Sequence, residues 1–184
     1  MLRNQIINLQ NKKIMKKLIL ILTMTMALTF SKSVFAQETI VDVAVGNEDF
    51  STLVTALTAA DLVSALQGDG PFTVFAPTNA AFAKIDAATL GTLLEEKNKE
   101  ALGNILTYHV VPGKFVATAV VAALAKGNGS VELTALNGQI LTIVSKDDKI
   151  WLKDTNGNYS EIMATDVMGS NGVIHVINTV VMPK

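Results

Sequence analysis

Two different hydrophobic periods follow each other along residues 40–184. Between residues 40 and 126, apolar residues recur mainly every three or four positions, as on one face of an α-helix. From Ser130 onward the period becomes two, and Val131, Leu133 and Ala135 alternate with polar residues. Helices first and antiparallel strands later predict an α+β fold. The predicted helices are 40–45, 50–60, 61–67, 80–85, 87–97, 101–108 and 117–126.

The strands are predicted from apolar segments and from the turns that separate them. Residues 72–76 are β-branched or aromatic and precede Pro77, which predicts a short buried strand that ends there. Segment 172–182 is apolar on both faces, as expected for a strand in the middle of a core. Asn137-Gly138 and Asn156-Gly157 are typical of tight hairpin turns. The other predicted extended segments are 110–111, 130–135, 140–144, 150–152 and 159–164.

Three helix starts carry a polar residue that suits the N-cap position. Asp61 and Asp86 each precede an apolar periodic segment, where a carboxylate can accept hydrogen bonds from free backbone amides. Thr78 or Asn79 is placed to cap the helix 80–85 in the same way. We expect capping, rather than ligand binding, from this pair.

Residues 1–36 have the composition of an export signal. Lys16 and Lys17 precede an uncharged, mostly apolar run over 18–30. Small residues, Val34 and Ala36, stand at the third and first positions before the predicted cleavage site. The run has 13 residues, fewer than the roughly 20 that span a bilayer. We therefore predict a signal peptide cleaved after Ala36, not a membrane anchor. Either Met1 or Met15 is the initiator methionine, so residues 1–14 are either an N-terminal extension or a start-site artefact.

The predicted mature chain, residues 37–184, is long enough for one domain and contains no predicted membrane span. It contains no cysteine, so its stability must come from core packing without disulfides. Nine lysines, no arginine and 16 acidic residues give it a net charge of −7. This balance argues against nucleic acid as a partner, because phosphates require basic patches.

No sequence motif of catalysis or metal binding is complete. G-x-S-x-G, P-loop, G-x-G-x-x-G and H-E-x-x-H patterns are absent. Asp154, Asn156 and Asn158 have the spacing of a calcium loop, but the glycine and glutamate that such a loop requires are missing, so a hairpin turn is favoured. We predict a non-enzymatic protein with no catalytic residue, no metal site and no cofactor. A glycosidase-like pair of carboxylates stays open at this stage.

Three segments in a fixed order resemble the fasciclin family. FTVFAPTNAAF at 72–82 is similar to the first family signature, and NGVIHVINTVVMP at 171–183 is similar to the second. Tyr108-His109 stands where the family has a tyrosine–histidine motif. The resemblance covers 39–183. The residues that carry the two signatures are Phe72, Thr73, Val74, Phe75, Ala76, Pro77, Thr78, Asn79, Phe82, Gly172, Val173, Ile174, His175, Val176, Ile177 and Asn178.

The resemblance implies a wedge or sandwich of β-strands with several helices packed around it, in a single-domain bacterial form. It also implies a role outside the cytoplasm, with the protein secreted, periplasmic or on the cell surface. In the family the tyrosine–histidine motif is associated with cell adhesion, which makes Tyr108 and His109 partner-binding candidates. A structural role is the alternative, with an aromatic ring that packs and an imidazolium that suits a helix C-terminus. We expect His175 to be a buried, hydrogen-bonded core residue, and Asn178 to replace a more common aspartate without changing the geometry.

Three functions stay open at this point. The first is adhesion, through binding of an extracellular protein or a cell-surface polymer. The alternative is a soluble periplasmic binder of a small or lipid-like ligand, and the third is an enzyme. A large apolar pocket would favour the ligand binder, whereas a flat exposed patch near Tyr108 would favour adhesion. The sequence specifies neither the partner nor the oligomeric state.

Overall fold

The computed structural model describes residues 38–184, so the predicted signal peptide lies outside the described residues. Helices and strands follow the two hydrophobic periods. The α-helices are α1 (Ile40–Val45), α2 (Ser51–Ala59), α3 (Val63–Leu66), α4 (Asn79–Phe82), α5 (Ala87–Leu93), α6 (Lys99–Tyr108) and α7 (Ala117–Lys126). The strands are β1 (Phe72–Pro77), β2 (Val110–Pro112), β3 (Ser130–Thr134), β4 (Ile140–Lys146), β5 (Lys149–Lys153), β6 (Tyr159–Gly169) and β7 (Gly172–Ile177).

Two of the three capping predictions are confirmed. Thr78 caps α4 by accepting a hydrogen bond from the amide of Ala81, and Asp86 caps α5 through the amide of Thr89. The prediction for Asp61 was wrong, because the N-cap of α3 is Leu62 and no side chain caps this helix. The Asp61 carboxylate instead forms an ion pair with Lys99 at the start of α6.

The seven strands form one sheet in the order β2-β1-β7-β6-β5-β4-β3. Every neighbouring pair is antiparallel except β1 and β7, which are parallel. The prediction that the last strand is central is confirmed, since β7 lies between β1 and β6. Register shifts near Ala164 and a positive φ of 60° at Asp166 interrupt β6. This long strand therefore joins two half-sheets.

Two hydrophobic clusters lie on opposite faces of the half-sheet β2-β1-β7. Val74, Ile174 and Val110 face a cluster that includes Leu53 of α2 and Leu102 of α6. The alternate residues of the same strands, including Phe75 and Val111, face a second cluster. That cluster also contains Val120 and Leu124 of α7. The other half-sheet contributes its inward-facing residues to it, which are Leu133, Leu141, Ile143 and Leu152. The backbone amide of Leu136 donates to the Val110 carbonyl at 2.8 Å, so the two sheet ends approach each other. The predicted wedge with surrounding helices is confirmed.

Residues 178–182 differ from the sequence prediction, because the last strand ends at Ile177 rather than at residue 182. Side chains from other elements hold this segment. The amide of Val181 donates to His109 Nε2 at 3.3 Å and the amide of Met182 donates to Asp154 Oδ2 at 3.2 Å. Val180 and Val181 are buried in the two different clusters. Segment 178–184 therefore closes the end of the wedge without joining the sheet.

Candidate interaction surface

Tyr108 ends α6 with a side chain that is completely buried, at 0 % relative exposure. Its hydroxyl donates to the Ile140 carbonyl at 2.9 Å and accepts from the amide of Thr155 at 3.2 Å. Burial raises the pKa of this hydroxyl. The ring therefore ties α6 to the β4 start and to the loop after β5, and it presents no surface to a partner.

His109 follows at the C-cap of α6 and is also buried, at 2 % exposure. Nδ1 lies 2.8 Å from the Ile105 carbonyl and therefore donates to it, while Nε2 accepts from the amide of Val181. This pair of bonds assigns the neutral tautomer that carries its proton on Nδ1. Burial lowers the pKa of His109 to about 4. The imidazolium suggested for the helix C-terminus is therefore corrected to a neutral ring.

An exposed patch at the tyrosine–histidine motif, which would have favoured adhesion, is absent from the described residues. Both side chains fasten α6 to distant parts of the chain, and the hydroxyl and both ring nitrogens have partners inside the fold. The role of Tyr108 and His109 in partner binding stays a prediction. Any such role must act through the fold, because neither side chain reaches the surface.

The two signature blocks also supply structural hydrogen bonds. Thr73 Oγ1 donates to the Gly113 carbonyl at 2.7 Å and accepts from the amide of Phe115 at 2.9 Å. His175 stacks on Phe75 with ring centroids 5.6 Å apart, and its Nε2 lies 2.7 Å from the Phe115 carbonyl. Burial lowers the pKa of His175, so the expected buried, hydrogen-bonded histidine is confirmed.

Two asparagines of the signature blocks act through their amide groups. Asn79 accepts from the amide of Thr52 at 2.9 Å and donates to the Glu48 carbonyl at 2.8 Å, which ties α4 to the start of α2. Asn178 accepts from the amide of Glu161 at 3.0 Å. A neutral amide thus makes the backbone contact expected at position 178.

The turn with calcium-loop spacing is a hairpin whose polar groups are used internally. Asp154 is 4 % exposed, and its carboxylate accepts from the amides of Asn156 at 2.9 Å and Asn158 at 2.8 Å. The same carboxylate accepts from the amide of Met182. The hairpin interpretation is confirmed. Within residues 38–184, no group of three or more histidine or acidic side chains is arranged to hold a metal ion.

The cavities do not match a buried apolar ligand. One cavity of about 480 Å³ is open to solvent and lies between Gln67–Pro71 and Ser170–Gly172, where polar and apolar atoms line it about equally. An enclosed apolar cavity beside Phe75 and His175 has only about 10 Å³, which is the space of roughly one water molecule. None of the helices in the described part of the chain is long and apolar enough to cross a bilayer.

The outward side of strands β3 to β6 is a continuous surface that no described element covers. Strand register places its side chains in two rungs, each crossing four strands. One rung is Glu132, Thr142, Lys153 and Tyr159; the other is Ser130, Val144, Trp151 and Glu161. We call these eight side chains the outer sheet face.

The aromatic residues of the outer sheet face are partly exposed and held in place. Tyr159 is 48 % exposed, and the Lys153 ammonium lies 5.8 Å from the centre of its ring. Trp151, the only tryptophan of the sequence, is half-buried and donates from Nε1 to the Lys146 carbonyl at 3.3 Å. Lys149 pairs with Glu161 at 2.7 Å. Sequence reasoning missed this surface, although the period of two already placed Trp151 and Tyr159 opposite the buried positions.

Charge is distributed unequally between the helical and sheet parts. Residues 38–109 carry ten acidic residues and three lysines, and all ten carboxylates are exposed. Residues 110–184 carry six of each charge. The entire net negative charge therefore belongs to the helical part, while the part that carries the outer sheet face is neutral.

Comparisons with known proteins agree with this fold. The Fasciclin domain profile matches residues 48–183. The chain is 52 % identical over 145 residues to Protein sll1483 of Synechocystis sp., covering 79 % of this chain and 73 % of that protein. It is 37 % identical to transforming growth factor-beta-induced protein ig-h3 of Sus scrofa, with 79 % of this chain and 19 % of the relative covered.

Two further matches concern cell-surface proteins. The chain is 34 % identical to cell surface glycolipoprotein MPB83 of Mycobacterium bovis, covering 80 % of this chain and 62 % of that protein. A FAS1 domain pair from the insect cell adhesion molecule Fasciclin I superposes with a TM-score of 0.68 at 17 % identity, covering 77 % of this chain and 50 % of the other. With three sequence blocks, the wedge and these matches in agreement, the chain belongs to the fasciclin domain family.

Proposed function

We propose that this protein is an exported adhesion domain that binds an extracellular protein or a cell-surface polymer through its outer sheet face. The observation that carries the proposal is the uncovered outward side of β3 to β6, with Trp151 and Tyr159 on neighbouring strands. Aromatic residues of this kind are enriched where proteins bind partners. The relatives described as a cell adhesion molecule and as a cell surface glycolipoprotein support the same class of function.

Export and domain organisation are part of the proposal. Residues 1–36 act as a cleaved signal peptide, and residues 37–184 form the single binding domain, which is secreted, periplasmic or attached to the cell surface. The function is not catalytic. In support of this, the sequence lacks the G-x-S-x-G, P-loop, G-x-G-x-x-G and H-E-x-x-H patterns.

The test is attachment of the source cells to a surface coated with residues 37–184. Tyr159→Ala is expected to reduce attachment because it removes the most exposed aromatic ring of the outer sheet face. Val45→Ala is the control, since Val45 is 62 % exposed on α1, outside this face. Equal attachment by wild type and Tyr159→Ala, with both fully folded, would place binding elsewhere on the domain.

The same assay tests the tyrosine–histidine motif. The double variant Tyr108→Phe with His109→Ala is compared with wild type at temperatures where both are folded. We expect equal attachment by the two folded proteins, because both side chains are buried and offer no contact to a partner. Loss of attachment by a fully folded double variant would assign the motif a direct part in binding.

A further inference from the structure

The size of the outer sheet face restricts what it can bind. Four strands spaced about 4.8 Å apart, each about five residues long at about 3.4 Å per residue, give a surface of roughly 300 Å². A stable complex of two globular proteins usually buries about 800 Å² on each partner. The face alone is therefore too small for a globular partner or a second copy of this chain, but its area suits a narrow, chain-like ligand that lies across the strands.

The chemistry of the face is mixed in the way that a sugar ring requires. Hydroxyl, ammonium and carboxylate groups of Thr142, Lys153 and Glu132 stand in one rung with the ring of Tyr159. A pyranose offers hydroxyls at its rim and apolar C–H groups on its faces, so it can hydrogen-bond to the polar groups while it stacks on an aromatic ring. A hollow of about 470 Å³ lies over this rung and extends to Asn156.

Charge indicates which class of polymer suits the face. The outer sheet face belongs to a neutral part of the domain, whereas ten exposed carboxylates cover the helical part. Since the domain as a whole is negative, it would repel an anionic polymer at separations shorter than the Debye length. This repulsion disfavours nucleic acids and acidic polysaccharides as ligands, but it does not disfavour an uncharged polymer.

We propose that the outer sheet face binds a neutral polysaccharide chain, which lies in the hollow across β3 to β6, stacks on Tyr159 and passes next to Trp151 in the neighbouring rung. This inference rests on the proposed adhesion function and names the chemistry of its partner. Because such a ligand continues beyond the domain, several copies of the protein can bind one polymer, and a weak single contact then suffices for attachment.

Trp151 makes the proposal measurable on the unmodified domain. It is the only tryptophan in the sequence and stands in the outer sheet face, so its fluorescence reports on this surface alone. We would titrate residues 37–184 with soluble dextran, yeast mannan and laminarin, and with anionic alginate as the charged comparison. The expected result is a saturable change in Trp151 emission with at least one neutral polymer and none with alginate. Tyr159→Ala, which keeps the tryptophan, should weaken this binding about two- to tenfold, and Val45→Ala should not.

Isolated cell envelopes separate failure of this inference from failure of adhesion. Envelopes are treated either with periodate, which cleaves the vicinal diols of sugars, or with a protease, and binding of the domain is then measured. Loss after periodate and survival after protease would support a polysaccharide partner. Loss after protease, together with survival after periodate and no binding to any of the neutral polymers, would overturn the polysaccharide inference and leave adhesion to a protein intact. Absence of binding to untreated envelopes and to every neutral polymer would overturn both.

Discussion

His109 should make the stability of this domain depend on pH between the pKa values of its folded and unfolded states. The ring is neutral in the folded protein, with a pKa lowered by burial to about 4, whereas the ordinary value is 6.5. The unfolded chain therefore binds more protons than the folded one between these values, and the free energy of unfolding falls as the pH falls. The contribution is fully present above pH 6.5 and is lost progressively as the pH falls through the folded-state pKa.

The expected magnitude follows from the same two pKa values. Between pH 7 and pH 5, His109 should cost the folded state about 2 kcal/mol, which corresponds to a fall in Tm of about 4–8 °C for a domain of this size. His175 acts in the same direction, because its pKa is also lowered by burial.

The assay is urea unfolding of residues 37–184 at pH 7 and pH 5, for wild type and His109→Gln. A glutamine amide can donate to Ile105 and accept from Val181 without binding a proton in this range. The variant should therefore lose clearly less stability than wild type between the two pH values, whatever its stability at pH 7. An equal loss in both proteins would refute the assignment of a neutral, buried His109 as the source of the acid sensitivity.

Three further predictions concern Tyr108 and Asp154. Tyr108→Phe should lower the free energy of unfolding by about 1–3 kcal/mol, because the Ile140 carbonyl and the Thr155 amide lose their partner; a denaturation midpoint unchanged from wild type would show that the hydroxyl is not engaged. Asp154→Asn should also lower the free energy of unfolding by about 1–3 kcal/mol, since one carboxylate accepts hydrogen bonds from the amides of Asn156, Asn158 and Met182. The melting temperature of wild type should be the same with calcium and with a chelator, and a rise with calcium would restore the metal interpretation of this turn.

Local sequence patterns predicted the helices and strands of this fold better than they predicted the contacts between them. Pro77 ends β1 as predicted, and the two Asn-Gly pairs lie in turns between antiparallel strands, since each of these signals depends on nearby backbone geometry. Residues 178–182 were predicted to continue the last strand because segment 172–182 is apolar on both faces. The amides of Val181 and Met182 bond instead to His109 and Asp154, which are remote in sequence and which no local pattern connects to this segment.

In the candidate site, too, some features were predictable from the local sequence and others depend on tertiary contacts. The tyrosine–histidine motif was identified from its sequence, but its burial depends on how α6 meets β4 and the C-terminal segment. The outer sheet face was within reach of sequence reasoning, because residues two apart in a strand share a face. Counting charges separately for the helical and strand parts would also have revealed the neutral half.

The parallel pairing of β1 with β7 has a consequence for how the domain is made. Each residue of β1 pairs with a residue one hundred positions later, from Phe72 with Gly172 to Pro77 with Ile177. The central pair therefore cannot form until the chain has been synthesised beyond residue 172, and closing so long a loop also slows folding. Until then a nascent chain should lack this strand pair, and a chain that has not yet folded is the form that a narrow secretion channel can carry.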